Sequence, residues 1–228
     1  MALFDKVKAF ATPLVEHWSQ NQPADYDADT VQQQYLFSMA SGALRSAHSF
    51  AILEQANALH DLPVVARILL ERSVRADYAH QSSTNAVALL ISECTERIDK
   101  LEKFRDLPDS NTAGLQAKID SIKADVTEFE KLIPPDYPRG LKFYRICELC
   151  DLKEVYRSAY HLLSQPVHGS FHSGFQDVTV DEVMRFLMLM APVETSNFIH
   201  WVVEGGVADG YWDLRKEISS AAFPKKNN

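Results

Sequence analysis

Residues 49–80 read SFAILEQANALHDLPVVARILLERSVRADYAH, and they decide the fold class. Two stretches of helical periodicity meet at Asp61-Leu62-Pro63. Proline has no N–H to donate and a fixed φ, so it ends the helix before it and suits the first turn of the next. The helix after it, about 63–80, carries apolar residues on most sides and is predicted to be the most buried. The helix before it runs from about Thr30 to His60. Its apolar residues Tyr35, Met39, Leu44, Phe50, Ile52 and Leu53 drift round the surface, as in a helix central to a bundle.

Outward from this pair, helical spacing continues. Leu3, Phe4, Val7, Phe10, Leu14, Val15 and Trp18 make residues 2–20 amphipathic, with Pro13 predicted to kink or split the helix. A polar loop covers 21–29. Past a break at Gln81–Asn85, helix resumes to about Phe104, turns at Leu107–Ser110 and returns over 112–133. That return is thinly apolar and rich in charge. Residues 86–133 therefore read as an exposed hairpin arm, with Ile98, Leu101 and Phe104 facing Ile119, Ile122 and Val126. Pro134–Gly140 breaks the chain, and short helices follow over 141–164. The last long helix opens with the capping box Thr179-x-x-Glu182, carries Pro192 as a predicted kink, and stops at Gly205-Gly206. A short helix begins near Tyr211. The expected fold is all-α: one domain over 1–228, a bundle of six or more helices with a protruding antiparallel helical hairpin.

Composition agrees. Of 228 residues 46% are hydrophobic, with only 8 glycines and 10 prolines, enough to bury a core without disulfides or metals. A net charge of −8 speaks against broad electrostatic binding to nucleic acid. Asp5, Lys6, Lys8 and Glu16 interrupt the N-terminal apolar pattern, so no signal peptide is expected there. No run of about 18 apolar residues predicts a membrane span. Cys94, Cys147 and Cys150 are expected to be reduced thiols of a cytoplasmic protein. No cofactor is expected.

Two polar clusters stand out. Arg67-x3-Glu71-x3-Arg75 stacks a carboxylate between two guanidiniums by i,i+4 spacing, in an otherwise apolar segment where unpaired charge is costly. Tyr160, Ser164 and His168 lie at a helix end and in the loop after it. Imidazole titrates near neutrality, so His168 beside hydroxyls has the chemistry of acid–base work. The plain alternative is structural: an ion-pair ladder, and a serine and histidine ending a helix. Arg75-x4-His80 has Arg-x4-His spacing, but five positions turn a helix by about 140°, so the two side chains should diverge. Cys147-x2-Cys150 lacks the second pair of a zinc site. His168 and His172, with Glu71 or His80 as third ligand, would make a metal site only if distant elements converged.

Taken jointly, the Arg67-x3-Glu71 helix and the later YHLLSQPVHGS, with Tyr160, Ser164 and His168, resemble an uncharacterised bacterial family of helical proteins known only as a domain of unknown function. The resemblance covers about residues 35–170. It implies that Arg67, Glu71, Tyr160, Ser164 and His168 surround one pocket. A more distant similarity to the HEPN helical ribonucleases implies RNA cleavage, although there the arginine and histidine belong to one motif late in the domain. The leading expectation is a binding or interaction module with a buried polar site, linked to bacterial defence or stress, whose partner is a protein or a small anion. The alternatives are a metal-independent ribonuclease, with His168 in proton transfer and Arg67 clamping phosphate, and a metal-dependent hydrolase. Self-association stays open.

Overall fold

The computed structural model describes residues 2–20, 27–107, 111–167 and 180–223, and every regular element among them is helical. In chain order these are α1 (Leu3–Gln20), α2 (Ala28–Gln55), α3 (Leu62–Gln81), α4 (Ser83–Arg105), α5 (Thr112–Glu130), α6 (Phe143–Leu149), α7 (Lys153–Val155), a π-helical turn (Tyr156–Tyr160), α8 (His161–Val167), α9 (Val180–Glu204) and α10 (Tyr211–Ala222). The all-α bundle read from periodicity is the fold.

Local chemistry sets most boundaries. The Asp27 side chain caps α2 by accepting from the Thr30 N–H at 2.9 Å. α2 stops at Gln55, short of the expected His60, because Asn57 takes a left-handed φ of 56°, a conformation asparagine tolerates better than most residues. Pro63 sits in the first turn of α3. α1 runs unbroken through an exposed Pro13. Thr179 of the expected capping box lies outside the described residues.

The junction of α3 and α4 shows how a break is stabilised. Ser82 ends one helix and caps the next, its hydroxyl accepting from the Asn85 N–H at 3.1 Å. A helix end leaves its last carbonyls unpaired, and here two buried amides serve them. Gln32 Nε2 donates to the carbonyls of Ala79 (2.8 Å) and His80 (3.2 Å), and Asn85 Nδ2 donates to that of Tyr78 (2.9 Å). The Tyr137 hydroxyl in turn donates to Asn85 Oδ1.

α2, α3 and α9 pack on one another and form the main core, with Leu36, Phe50, Leu69, Val74 and Ile199 sealed from solvent. Cutting such a side chain back to alanine costs on the order of 2–5 kcal/mol. α9 is more deeply buried than α3: from Leu187 to Asn197 every residue except Glu194 is buried, whereas Val64 and Ile68 of α3 face solvent. α9 is long and apolar enough to cross a membrane by length and composition, but 61% of its most apolar window is covered by the rest of the protein. A core helix has that pattern.

α5 packs on α4 as the expected hairpin. Ile98, Ile119 and Ile122 make a small core of their own with Leu101 and Val126. Lys123 pairs with Glu102 at 2.9 Å, and Arg105 donates to Gln116 at 2.7 Å, an antiparallel register. Phe104 does not join: it is 59% exposed. Each three-residue step falls about 60° short of a full turn, so by Phe104 the seam has rotated away from α5.

Candidate functional site

The ladder on α3 divides. Arg67 Nε donates to Glu71 Oε1 at 3.1 Å, as the i,i+4 spacing requires. Arg75 turns instead to Glu93 of α4, at 3.3 Å. Glu93 also accepts from the buried Tyr35 hydroxyl of α2 at 2.7 Å. The carboxylate of Glu71 is therefore not bracketed by two guanidiniums. One end of the ladder tethers α3 to α4 and α2, leaving Arg67 and Glu71 to a different neighbour.

That neighbour is Tyr160, whose hydroxyl accepts from Arg67 Nη2 at 2.5 Å. The guanidinium also lies 4.6 Å from the centre of the Tyr160 ring, within cation–π range. Tyr160 closes the π turn, which takes in one residue more than an α-helical turn; such insertions recur at functional sites. Within this turn Tyr156 and Tyr160 stack with centroids 4.9 Å apart and planes 17° off parallel. Phe143 of α6 packs against Tyr160 at 5.0 Å, and His161 meets the edge of Tyr156 at 5.5 Å. The result is a guanidinium–carboxylate pair set into an aromatic wall.

Arg67 and Glu71 are about a quarter exposed, so solvent reaches the pair. Among the described residues Arg67 Nη1 and Glu71 Oε2 have no partner. Burial raises the pKa of Tyr160, and the charge of Glu71 adds to the effect, partly opposed by Arg67. The phenol therefore keeps its proton, and while accepting from Arg67 it has that O–H left to donate. Burial likewise pushes the Cys147 thiol up to about 11, with Glu71 contributing. Cys147 is a packed, unreactive thiol rather than a nucleophile.

Of the five residues expected around one pocket, Arg67, Glu71 and Tyr160 come together. Ser164 is adjacent, but its hydroxyl donates to the Tyr160 carbonyl at 2.6 Å, one helical turn back. His168 lies outside the described residues, as does His172. The aromatic partners Tyr156 and Phe143 escaped the sequence reading, although the four-residue spacing of the two tyrosines in VYRSAYH was a visible signal. Arg75 and His80 diverge as their spacing requires, His80 stacking on Phe198 of α9 at 4.8 Å. Cys150 lies 3.5 Å from Gln81 Nε2 rather than in a metal set. No three histidine, cysteine or acidic side chains among the described residues gather closely enough to hold a metal.

The chain belongs to the family of unknown function DUF5677. Its family model matches residues 33–183. No curated protein and no solved structure matches the chain. The DUF5677 span holds all five candidate residues together with Tyr156 and Phe143. It excludes α1 and α10 and stops a few residues into α9, so the core helix covering α2 and α3 lies largely beyond it.

Proposed function

We propose that the protein is a non-catalytic binding module that takes a small organic anion at Arg67. The observation that carries this reading is the pairing of the Arg67 guanidinium with the protonated Tyr160 hydroxyl at a solvent-reachable aromatic wall. Two donors, Arg67 Nη1 and the Tyr160 O–H, suit the two oxygens of a carboxylate. The rings of Tyr156 and Phe143 suit an apolar or planar body. Glu71 limits the charge: a carboxylate beside the guanidinium repels a dianion more than a monoanion.

Catalysis draws less support. The Ser164 hydroxyl is engaged within its own helix, and neighbouring thiols are held protonated. The test is calorimetric titration of the full chain with aromatic monocarboxylates such as benzoate, set beside Arg67→Ala. Binding that disappears in the variant supports the reading, and binding unchanged in it removes Arg67 from the site. Metal-independent RNA cleavage lost in His168→Ala would replace the reading with the ribonuclease one.

A further inference from the structure

The aromatic wall continues past the rings that meet Tyr160. Tyr144, beside Phe143 in the first turn of α6, places its ring 6.3 Å from that of Tyr156, tilted by 56°. Tyr156 is the hub, since the rings of Phe143, Tyr144, Tyr160 and His161 all have their centres within 6.3 Å of its own. Aromatic pairs favour spacings of about 4.5–7 Å, so these are contacts. From Arg67 they run in three steps: 4.6 Å to Tyr160, 4.9 Å on to Tyr156 and 6.3 Å on to Tyr144.

Tyr144 is the open end of this series. It is 47% exposed, whereas Phe143, Tyr156 and Tyr160 are each partly covered. A lone exposed ring needs no explanation, but this one extends a packed cluster that begins at an anion-binding donor. Charge sets a second requirement. Arg145 and Arg157, the chain neighbours of Tyr144 and Tyr156, are engaged by Glu148 at 2.9 Å and Glu154 at 3.0 Å. Those two cations are matched, so the outer rings call for a neutral partner.

We propose that the ligand held at Arg67 is a monocarboxylate with an extended flat body of about two rings, the outer one resting on Tyr144. The inference rests on the reading of Arg67 and Tyr160 as the anion site, and adds the length of what binds there. A single ring anchored by its carboxylate covers one step of the wall and stops short of Tyr144. A second ring buries further apolar area and gains an aromatic pair. Tyr144 is then a specificity-determining residue, neutral towards a one-ring acid and favourable to a longer one. A nucleotide fits less well, because its further phosphates would meet matched cations and the carboxylate of Glu71.

Calorimetric titration of the full chain with benzoate and with para-phenylbenzoate, in wild type, Tyr144→Ala and Arg67→Ala, tests this. In wild type the two-ring acid should bind roughly ten-fold or more tighter than benzoate. In Tyr144→Ala that preference should fall to roughly three-fold or less, with benzoate affinity unchanged. Arg67→Ala should lose both acids. Tyr144 is half exposed, so the variant should keep its helical circular dichroism; should it misfold, Tyr144→Gln decides by the same criterion. Equal wild-type affinity for the two acids overturns the two-ring assignment, as does a preference that survives intact without the Tyr144 ring. In either case benzoate binding lost in Arg67→Ala leaves the anion site standing. Para-phenylbenzoate that still binds Arg67→Ala is held by apolar contact alone and overturns the assignment too. No binding of either acid at millimolar concentration removes the anion site, and this inference with it.

Discussion

Arg67 and Tyr160, 93 positions apart in the chain, share a hydrogen bond from Nη2 to the phenol oxygen and a ring contact at 4.6 Å. The two contacts separate under mutation. Tyr160→Phe keeps the ring between Tyr156 and Phe143 and removes only the hydroxyl, the acceptor for Arg67 and the donor offered to a ligand. A net hydrogen bond to a charged group is worth about 1.5–3 kcal/mol when buried. Partial exposure lets water replace much of it, so a loss of about 1 kcal/mol is expected, or about 2–4 °C in melting temperature for a chain of this length. Binding of a monocarboxylate should fall far more than stability does. A variant with wild-type affinity would remove the phenol from the proposed site.

Glu71→Ala should destabilise the protein more than Glu102→Ala. Both glutamates are ion-paired, Glu71 with Arg67 at 3.1 Å and Glu102 with Lys123 at 2.9 Å. Glu71 is the less exposed, at 28% against 36%, and Lys123 is itself half exposed. Full burial would put the cost of breaking the Glu71 pair at about 3–5 kcal/mol. The observed exposure and the second partner of Arg67 reduce that to about 1–2 kcal/mol, against about 0–1 kcal/mol for the surface pair. Urea titrations of the two variants give the comparison, and equal midpoints would contradict it.

Gly42 sits under the Arg72 guanidinium: a Cβ there would stand 2.8 Å from Arg72 Cζ. Two effects compete in Gly42→Ala. Alanine gains about 1 kcal/mol over glycine inside a helix. The guanidinium can swing aside, but only by giving up its bonds to the Gly42 carbonyl and the Ser46 hydroxyl, each worth about 1.5–3 kcal/mol as charge-assisted bonds. The second effect is the larger, so a net loss of about 2–5 kcal/mol is expected, towards the low end where water replaces part of the lost bonds. In an Arg72→Ala background the same substitution should turn neutral or stabilising. Denaturant unfolding of the four chains gives the coupling, and additive effects would show that Arg72 does not depend on Gly42.

What could be read from sequence, and what could not, follows the range of the interactions. Pro63, Ser82, Pro134–Gly140 and Gly205-Gly206 mark their breaks because turn and cap chemistry acts within a few residues. The hairpin was readable because Ile98, Ile119 and Ile122 repeat on one face of each helix. Phe104 was misplaced because the seam rotates, and Asn57 because a left-handed stop needs no proline or glycine. Arg67 with Glu71 follows from spacing alone. Its meeting with Tyr160 does not, since only the path of the chain through α6 and α7 brings the π turn to α3, and the expectation came from a resemblance. The turn of Arg75 towards Glu93, and the approach of Arg72 to Gly42, depend on which helices pack together. No local pattern records that.

His80 supplies the expected pH dependence. Its ring stacks on Phe198 at 4.8 Å and meets the edge of Trp201 at 5.8 Å, and burial lowers its pKa below the ordinary 6.5. The unfolded chain therefore takes up this proton more readily than the folded one. Stability rises with pH wherever the unfolded state binds more protons, so the contribution is intact above about 6.5 and is lost as pH falls through that value towards the folded one. His80→Phe keeps an aromatic ring against Phe198 and removes the titration, while the backbone carbonyl that accepts from Gln32 is untouched. Melting curves between pH 7.5 and pH 5, chosen to bracket about 6.5, should show wild type losing stability relative to the variant on the acid side. Taking the difference between the two chains cancels the titration of the other histidines. Parallel curves across that range would mean that His80 is as easily protonated folded as unfolded, and that its packing against α9 opens to water.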